Sequence, residues 1–151
     1  MELILVKDFT DPLFCDAFTQ YFKELEIHVD DWNTLFAQMQ MNDDGDNIAY
    51  VLKKEDKIIG FIQFKEEMLS NWFFFEKVGF VREFWVRDDK RHQGYGSALL
   101  EACEQYLKKQ KIHRVLLTSD PDAQRFYLHH GYHKREDIHA LNELPVYVKE
   151  I

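Results

Sequence analysis

The chain has 151 residues, 46% of them hydrophobic and 15% aromatic, including 13 Phe, which predicts a packed globule and excludes a disordered segment. Its net charge of −8 argues against nucleic acid as a main partner, because neutralising phosphates needs a basic face, and mildly favours a cationic ligand. No apolar run approaches the roughly 20 residues that span a bilayer, and Met1–Asp8 carries acid too early for a secretory signal, so the expectation is one domain, 1–151, cytoplasmic and away from membranes.

Residues 2–7 read as a strand. Thr10-Asp11-Pro12 is a helix-start signal, and Phe14, Phe18, Tyr21, Phe22 and Leu25 recur at helical spacing over 11–26. Asp30-Asp31 opens a second helix carrying Trp32, Leu35, Phe36 and Met39, and 42–46 is a turn-rich breaker. Residues 48–52 and 57–64 read as an antiparallel hairpin around 53–56. An aromatic loop over 66–77 precedes a strand at 78–86 that is apolar on both faces, hence central.

Asp88-Asp89-Lys90 lead into a glycine-containing turn, and a helix over 96–110 puts Leu99, Leu100, Cys103 and Leu107 on one stripe. A short strand at 114–118 and a helix at 121–129 follow, the helix ended by Gly131 in the C′ position. Strands at 132–137 and 146–149 close the chain. This order suits a mixed sheet with helices on both sides. Cys15 and Cys103 lie among apolar neighbours in helical patterns and read as reduced core thiols, not a disulfide.

The run Arg91-His92-Gln93-Gly94-Tyr95-Gly96-Ser97 sits between the central strand and the helix over 96–110. Two glycines strip bulk from the turn, so backbone N–H groups converge on one spot with the positive end of a helix behind them. That is a docking site for a phosphate or pyrophosphate. Gly96 is followed by Ser97-Ala98 and not by Lys-Ser/Thr, which excludes the nucleotide-triphosphate loop. Leu99 stands where the dinucleotide fingerprint needs a small residue. Arg91 either neutralises phosphate charge directly or is a solvated arginine beside Asp88 and Asp89. His92 and Gln93 contribute N–H groups.

The remaining pattern, Arg-x-x-Gly-x-Gly between strand and helix, resembles the pyrophosphate loop of the GNAT acyltransferases. The downstream run Asp120-Pro121-Asp122-Ala123-Gln124-Arg125-Phe126-Tyr127-Leu128-His129-His130-Gly131-Tyr132 resembles the same family's Asn-x-x-Ala-x-x-Phe-Tyr-x-x-x-Gly-Phe/Tyr segment. Ala123, Phe126, Tyr127, Gly131 and Tyr132 fit it, while Asp120 stands where asparagine is common. The resemblance implies an α/β (α+β) fold: a mixed, mostly antiparallel central sheet of about six to seven strands, helices on both faces, and the fourth and fifth strands splayed apart. It implies acetyl-CoA as cosubstrate, no metal, and direct attack by a primary amine in a ternary complex. Cofactor contacts fall on Phe84, Trp85, Val86, the loop Arg91–Ser97 (His92, Gln93, Gly94, Tyr95 and Gly96 between) and Asp120. In the family the strand at Phe84–Val86 pairs with the pantetheine arm through main-chain amides.

An amine attacking a thioester must lose a proton, and an alkylammonium resembles lysine with a pKa near 10.4. The carbonyl oxygen needs a donor, the departing thiolate needs a proton, and the reactants must be held in line. Tyr127 suits protonation of the thiolate, since a phenol of pKa about 10 can donate to a thiolate of pKa about 8.5; the resemblance places it beside the sulfur. Glu83 is the leading general base or amine-binding carboxylate, on the same strand face as Val81 and Trp85. Glu66, Glu67 and backbone carbonyls stand as alternatives to it.

Other signals carry less. His129 and His133 are separated by the helix-ending Gly131, and no Cys/His spacing fits zinc. The loop Trp72–Phe75 reads as core, or as the wall of an acceptor pocket or dimer contact. Glu24, Glu26, Asp30 and Asp31 hint at a cationic acceptor or form a solvated helix end. The acceptor class stays open between small-molecule and peptide amines, a homodimer stays open, and a non-catalytic acyl-CoA-binding module is the alternative to an enzyme.

Overall fold

The computed structural model describes residues 1–43, 47–70 and 73–151. Its elements run β1 (Glu2–Val6), α1 (Pro12–Glu24), α2 (Trp32–Met41), β2 (Asn47–Lys54), β3 (Lys57–Ser70), β4 (Phe75–Val86), a 3-10 turn at Asp88–Lys90, α3 (Tyr95–Lys109), β5 (Arg114–Thr118), α4 (Gln124–His129), β6 (His133–Arg135) and β7 (Val146–Glu150). The predicted order of strands and helices is the observed one. The strands form a seven-stranded sheet in the order β1-β2-β3-β4-β5-β7-β6. The pairs β1–β2, β5–β7 and β6–β7 are antiparallel. The pair β4–β5 is parallel and spans only Gly79↔Val115 and Phe80↔Leu116, which is the splay that the resemblance implied. Among the described residues no helix is long and apolar enough to cross a membrane.

Two compact units make up the chain, residues 1–64 with 83–103, and residues 65–82 with 104–151. In the first, Asp11 caps α1 by accepting from the Leu13 amide at 2.9 Å, with Pro12 in the opening turn. The apolar stripe then buries Phe14, Ala17 and Phe18. Phe14 packs edge-on and Phe18 tilted against Phe61 of β3, with ring centres 5.8 and 6.0 Å away. Burial of each such ring contributes about 1.5–3 kcal/mol. Asp31 caps α2 through the Thr34 amide and hydroxyl, and those two bonds hold its carboxyl below the usual range. The β2–β3 hairpin closes on Glu55 and Asp56, both left-handed at φ 53° and 62°, the geometry of a two-residue turn whose twist matches its strands. Asn42 ends α2; residues 44–46 of the predicted breaker lie outside the described residues.

In the second unit β5 lies against β7 in register Arg114↔Glu150 to Thr118↔Val146. Gly79 of β4 lets Leu107 of α3 approach so closely that any side chain there would collide with it. Of the predicted α3 stripe, Leu107 is fully buried in this unit, and Leu99, Leu100 and Cys103 are fully buried in the first. Helix α4 starts at Gln124, later than predicted, because Asp120 and Pro121 form a turn ahead of it. It ends as predicted on Gly131 at φ +87°. The Gly131 amide bonds to the Leu128 carbonyl and the Tyr132 amide to the Tyr127 carbonyl, at 3.1 and 3.0 Å, which together form a Schellman cap.

The expected aromatic loop over 66–77 is corrected. Residues 66–70 continue β3 and 75–77 begin β4; Asn71 and Trp72 lie outside the described residues. A Lys77–Glu66 ion pair at 3.5 Å ties the extended strands together. Phe73, Phe74 and Phe75 are 86%, 75% and 75% exposed, so this segment is not core.

Candidate active site

The first unit builds a turn that suits an anion. His92 and Gly94 take left-handed conformations, φ 62° and 88°, and between them reverse the chain into α3. A Cβ on Gly94 would meet nothing within 4 Å, so glycine is needed there for its backbone angle and not for lack of room. The first helical bond of α3 runs from the Ala98 amide to the Gly94 carbonyl at 3.1 Å. The Tyr95 and Gly96 amides therefore have no intrahelical acceptor, and a 15-residue helix stands behind them. Ser97 completes the first turn.

Side chains brace this turn. The Arg91 guanidinium donates to the Val86 carbonyl at 3.0 Å, to Asp88 at 3.2 Å and to Glu24 at 2.5 Å. Glu24 also accepts from the Asp88 amide at 3.1 Å. Arg87, not Arg91, takes Asp89, at 2.9 Å. The Gln93 side chain reaches back to the Asp89 carbonyl at 3.4 Å. Tyr95 is buried and its hydroxyl accepts from Lys54 at 2.9 Å, which pushes the Lys54 ammonium up.

On β4 of the same unit, Glu83 is half-buried and accepts from the Tyr21 hydroxyl at 2.9 Å. The Tyr21 ring lies 6.0 Å from that of Trp85, so Glu83 and Trp85 share the α1-facing side of the strand, as alternation predicts. Trp85 is 4% exposed, and its indole N–H has no partner among the described residues. Phe84 and Val86 are partly buried on either side. Glu66 and Glu67, the alternative carboxylates, belong to the second unit and pair with Lys77 and Lys65, each at 3.5 Å.

Tyr127 and Asp120 also belong to the second unit. Asp120 caps the turn before α4, its carboxylate accepting from the Ala123 amide at 3.0 Å. Tyr127 is buried, with its ring 5.3 Å from Phe126 and 5.8 Å from Tyr132. The structure thus gathers Glu83, Phe84, Trp85, Val86 and Arg91–Ser97 in one unit, and Asp120 with Tyr127 in the other.

Three contributors escape sequence reasoning. Tyr21 reads as one more ring in the α1 stripe, and nothing in its spacing marks it as the partner of Glu83. Glu24 reads as a hint of a cationic acceptor or as part of a solvated helix end, and its tie from α1 to the loop through Arg91 and the Asp88 amide is what the sequence does not show. Gly60 lies beneath Trp85, whose carbonyl a side chain at that position would strike; a glycine inside a strand is the signal that marks such an approach. Cys15 has its thiol pushed up by burial and by the nearby Asp11 and Asp8 carboxylates. Among the described residues no group of three or more His, Cys, Asp or Glu gathers as a metal site.

Comparison with known proteins adds the family. The model of the acetyltransferase (GNAT) family matches residues 10–132. Solved structures share the fold at low identity. One is an acetyltransferase from Thermus thermophilus, 19% identical, TM-score 0.71, with 100% of this chain and 98% of that one covered. Another is a predicted acetyltransferase from Clostridium acetobutylicum solved with acetyl-CoA, 13% identical, TM-score 0.72, covering 93% and 95%. A third is an aminoglycoside acetyltransferase from a soil metagenomic sample in complex with sisomicin, 16% identical, TM-score 0.66, covering 85% and 84%. No curated protein matches the sequence.

Proposed function

The chain belongs to the GNAT family of acetyltransferases, and on that footing we propose that it moves an acetyl group from acetyl-CoA to a primary amine by direct attack, with residues 1–151 acting as one acyltransferase domain. The observation that carries this reading is the turn at His92–Gly96: two left-handed residues, two amides without intrahelical acceptors, and the positive end of α3.

The pyrophosphate would sit on the amides from His92 to Ser97. Arg91 braces that turn through Val86, Asp88 and Glu24 and adds positive charge beside it. The pantetheine arm would run along the main chain of Phe84, Trp85 and Val86, one amide of which polarises the thioester carbonyl. Asp120 would meet the arm where the family's asparagine stands.

Glu83, held by Tyr21, accepts the proton that the amine loses as its nitrogen bonds to the acetyl carbon. The C–S bond breaks, and Tyr127 gives its phenolic proton to the departing thiolate. Cys15 supports direct transfer over a thiol-bound acyl group, because its raised thiol is a poor nucleophile at neutral pH. The acceptor is a small-molecule or peptide amine.

The test is a screen of amines, from aliphatic amines and polyamines to aminoglycosides and peptides, that follows free CoA release. Acceptor-dependent release is expected. Stabilisation by CoA with no release across the panel would contradict catalysis and leave a binding module.

A further inference from the structure

The second unit contains a polar cluster, two of its three side chains buried, that the proposed reaction does not use. Tyr132 is 2% exposed, and its hydroxyl donates to Glu104 at 2.8 Å. Lys149 of β7 donates to both Glu104 oxygens, at 3.0 and 3.1 Å. The same ammonium lies 5.7 Å from the centre of the Tyr132 ring. Glu104 comes from α3, Lys149 from β7, and Tyr132 from the residue after the α4 cap, so three elements meet on one phenol.

Glu104 is buried and Lys149 half-buried beside it; a buried carboxylate is costly, and apolar residues of similar volume often do as well or better for stability. Such a cluster can instead fix geometry, and what it fixes is visible. The Tyr132 ring packs against that of Tyr127 at 5.8 Å and 66°. The Tyr132 amide binds the Tyr127 carbonyl at 3.0 Å. A side chain on Gly131, between them in sequence, would come within 3.4 Å of Lys149. Tyr132 thus meets Tyr127 twice, ring to ring and main chain to main chain, and its own phenol is pinned.

We propose that Glu104, Lys149 and Tyr132 form a positioning device that sets the Tyr127 side chain for proton donation; this rests on the role given to Tyr127 above. Pinning the Tyr132 hydroxyl fixes the tilt of its ring, and that ring is one wall of the Tyr127 site. Proton transfer tolerates little misplacement, so a loosened wall is read in turnover and not in cofactor affinity.

The experiment is a double-mutant cycle with an independent structural readout, run on the full chain. Tyr132→Phe keeps the ring and removes the pin. It should lower kcat about tenfold while the KM for acetyl-CoA stays within about twofold. In a Tyr127→Phe background it should lower kcat no further, an outcome that general loosening of the fold does not give. With ring-labelled tyrosine, the Tyr127 resonance should shift in Tyr132→Phe. Glu104→Gln, which keeps the size and an acceptor, repeats the cycle if Tyr132→Phe folds poorly. Additive kcat losses, or an unmoved Tyr127 resonance, would overturn the proposal. If Tyr127→Phe alone keeps full kcat, the acid role falls, and the resonance still decides whether the cluster positions that ring.

Discussion

Tyr21 of α1 donates its phenolic hydrogen to Glu83 of β4 at 2.9 Å, although 62 positions separate them. The bond fixes a carboxylate beside Trp85 and gives the proposed base a set orientation. Glu83→Gln should therefore lower kcat about 10²-fold, as loss of a general base does. Tyr21→Phe should cause a smaller fall, and none in the Glu83→Gln background. Steady-state kinetics of the four proteins decide it; additive losses would separate the two residues.

Tyr127→Phe should lower kcat by about 10²-fold and leave CoA affinity nearly intact, since the proposed role of the phenol is on the leaving group and not on the phosphates. Calorimetry and turnover on one preparation measure both. Equal activity in variant and parent would remove Tyr127 as the acid.

Cys15 should alkylate slowly. Its thiol lies above the usual value of 9.0, so less thiolate is present at pH 7.5 than for free cysteine, and reaction with iodoacetamide should rise only at higher pH. Mass spectrometry over a pH series follows it. Rapid modification near neutrality would contradict the half-buried, carboxylate-flanked setting.

The cap of α2 should fail in acid. The folded Asp31 carboxyl lies below its ordinary 3.8. A depressed value means that the ionised cap stabilises the helix above the unfolded carboxylate range and loses that effect as pH falls through the folded value, below about pH 4. The Thr34 amide resonance should move in that window, and Asp31→Asn, which still caps, should abolish the movement. A Thr34 amide already shifting at pH 5–6 would contradict this.

Much of the fold was legible because its signals are local. The α1 stripe, the Asp11 and Asp31 caps and Gly131 each specify their own neighbourhood, and the seven strands follow from alternation and turns. The turn at Gly94 was legible for the same reason, as two glycines and a helix start fall within a few residues. What could not be read joins distant positions. Tyr21 to Glu83, Glu24 to Arg91 and Glu104 to Lys149 depend on which strands become neighbours, and no short-range spacing encodes that. The aromatic segment at 73–75 was legible only in part: its apolar composition suited core as well as a pocket wall or dimer contact, and the structure leaves its rings exposed, against core.

The most direct test of the account is calorimetric titration of CoA into the parent chain and into Gly94→Asp. Gly94 has open space around it, so the free fold should bear the substitution apart from its left-handed angle. A new carboxylate there would face the diphosphate. We predict that the parent binds one CoA per chain and that Gly94→Asp binds at least about tenfold more weakly. Equal affinity in the two proteins would contradict the claim that the turn at His92–Gly96 holds the pyrophosphate.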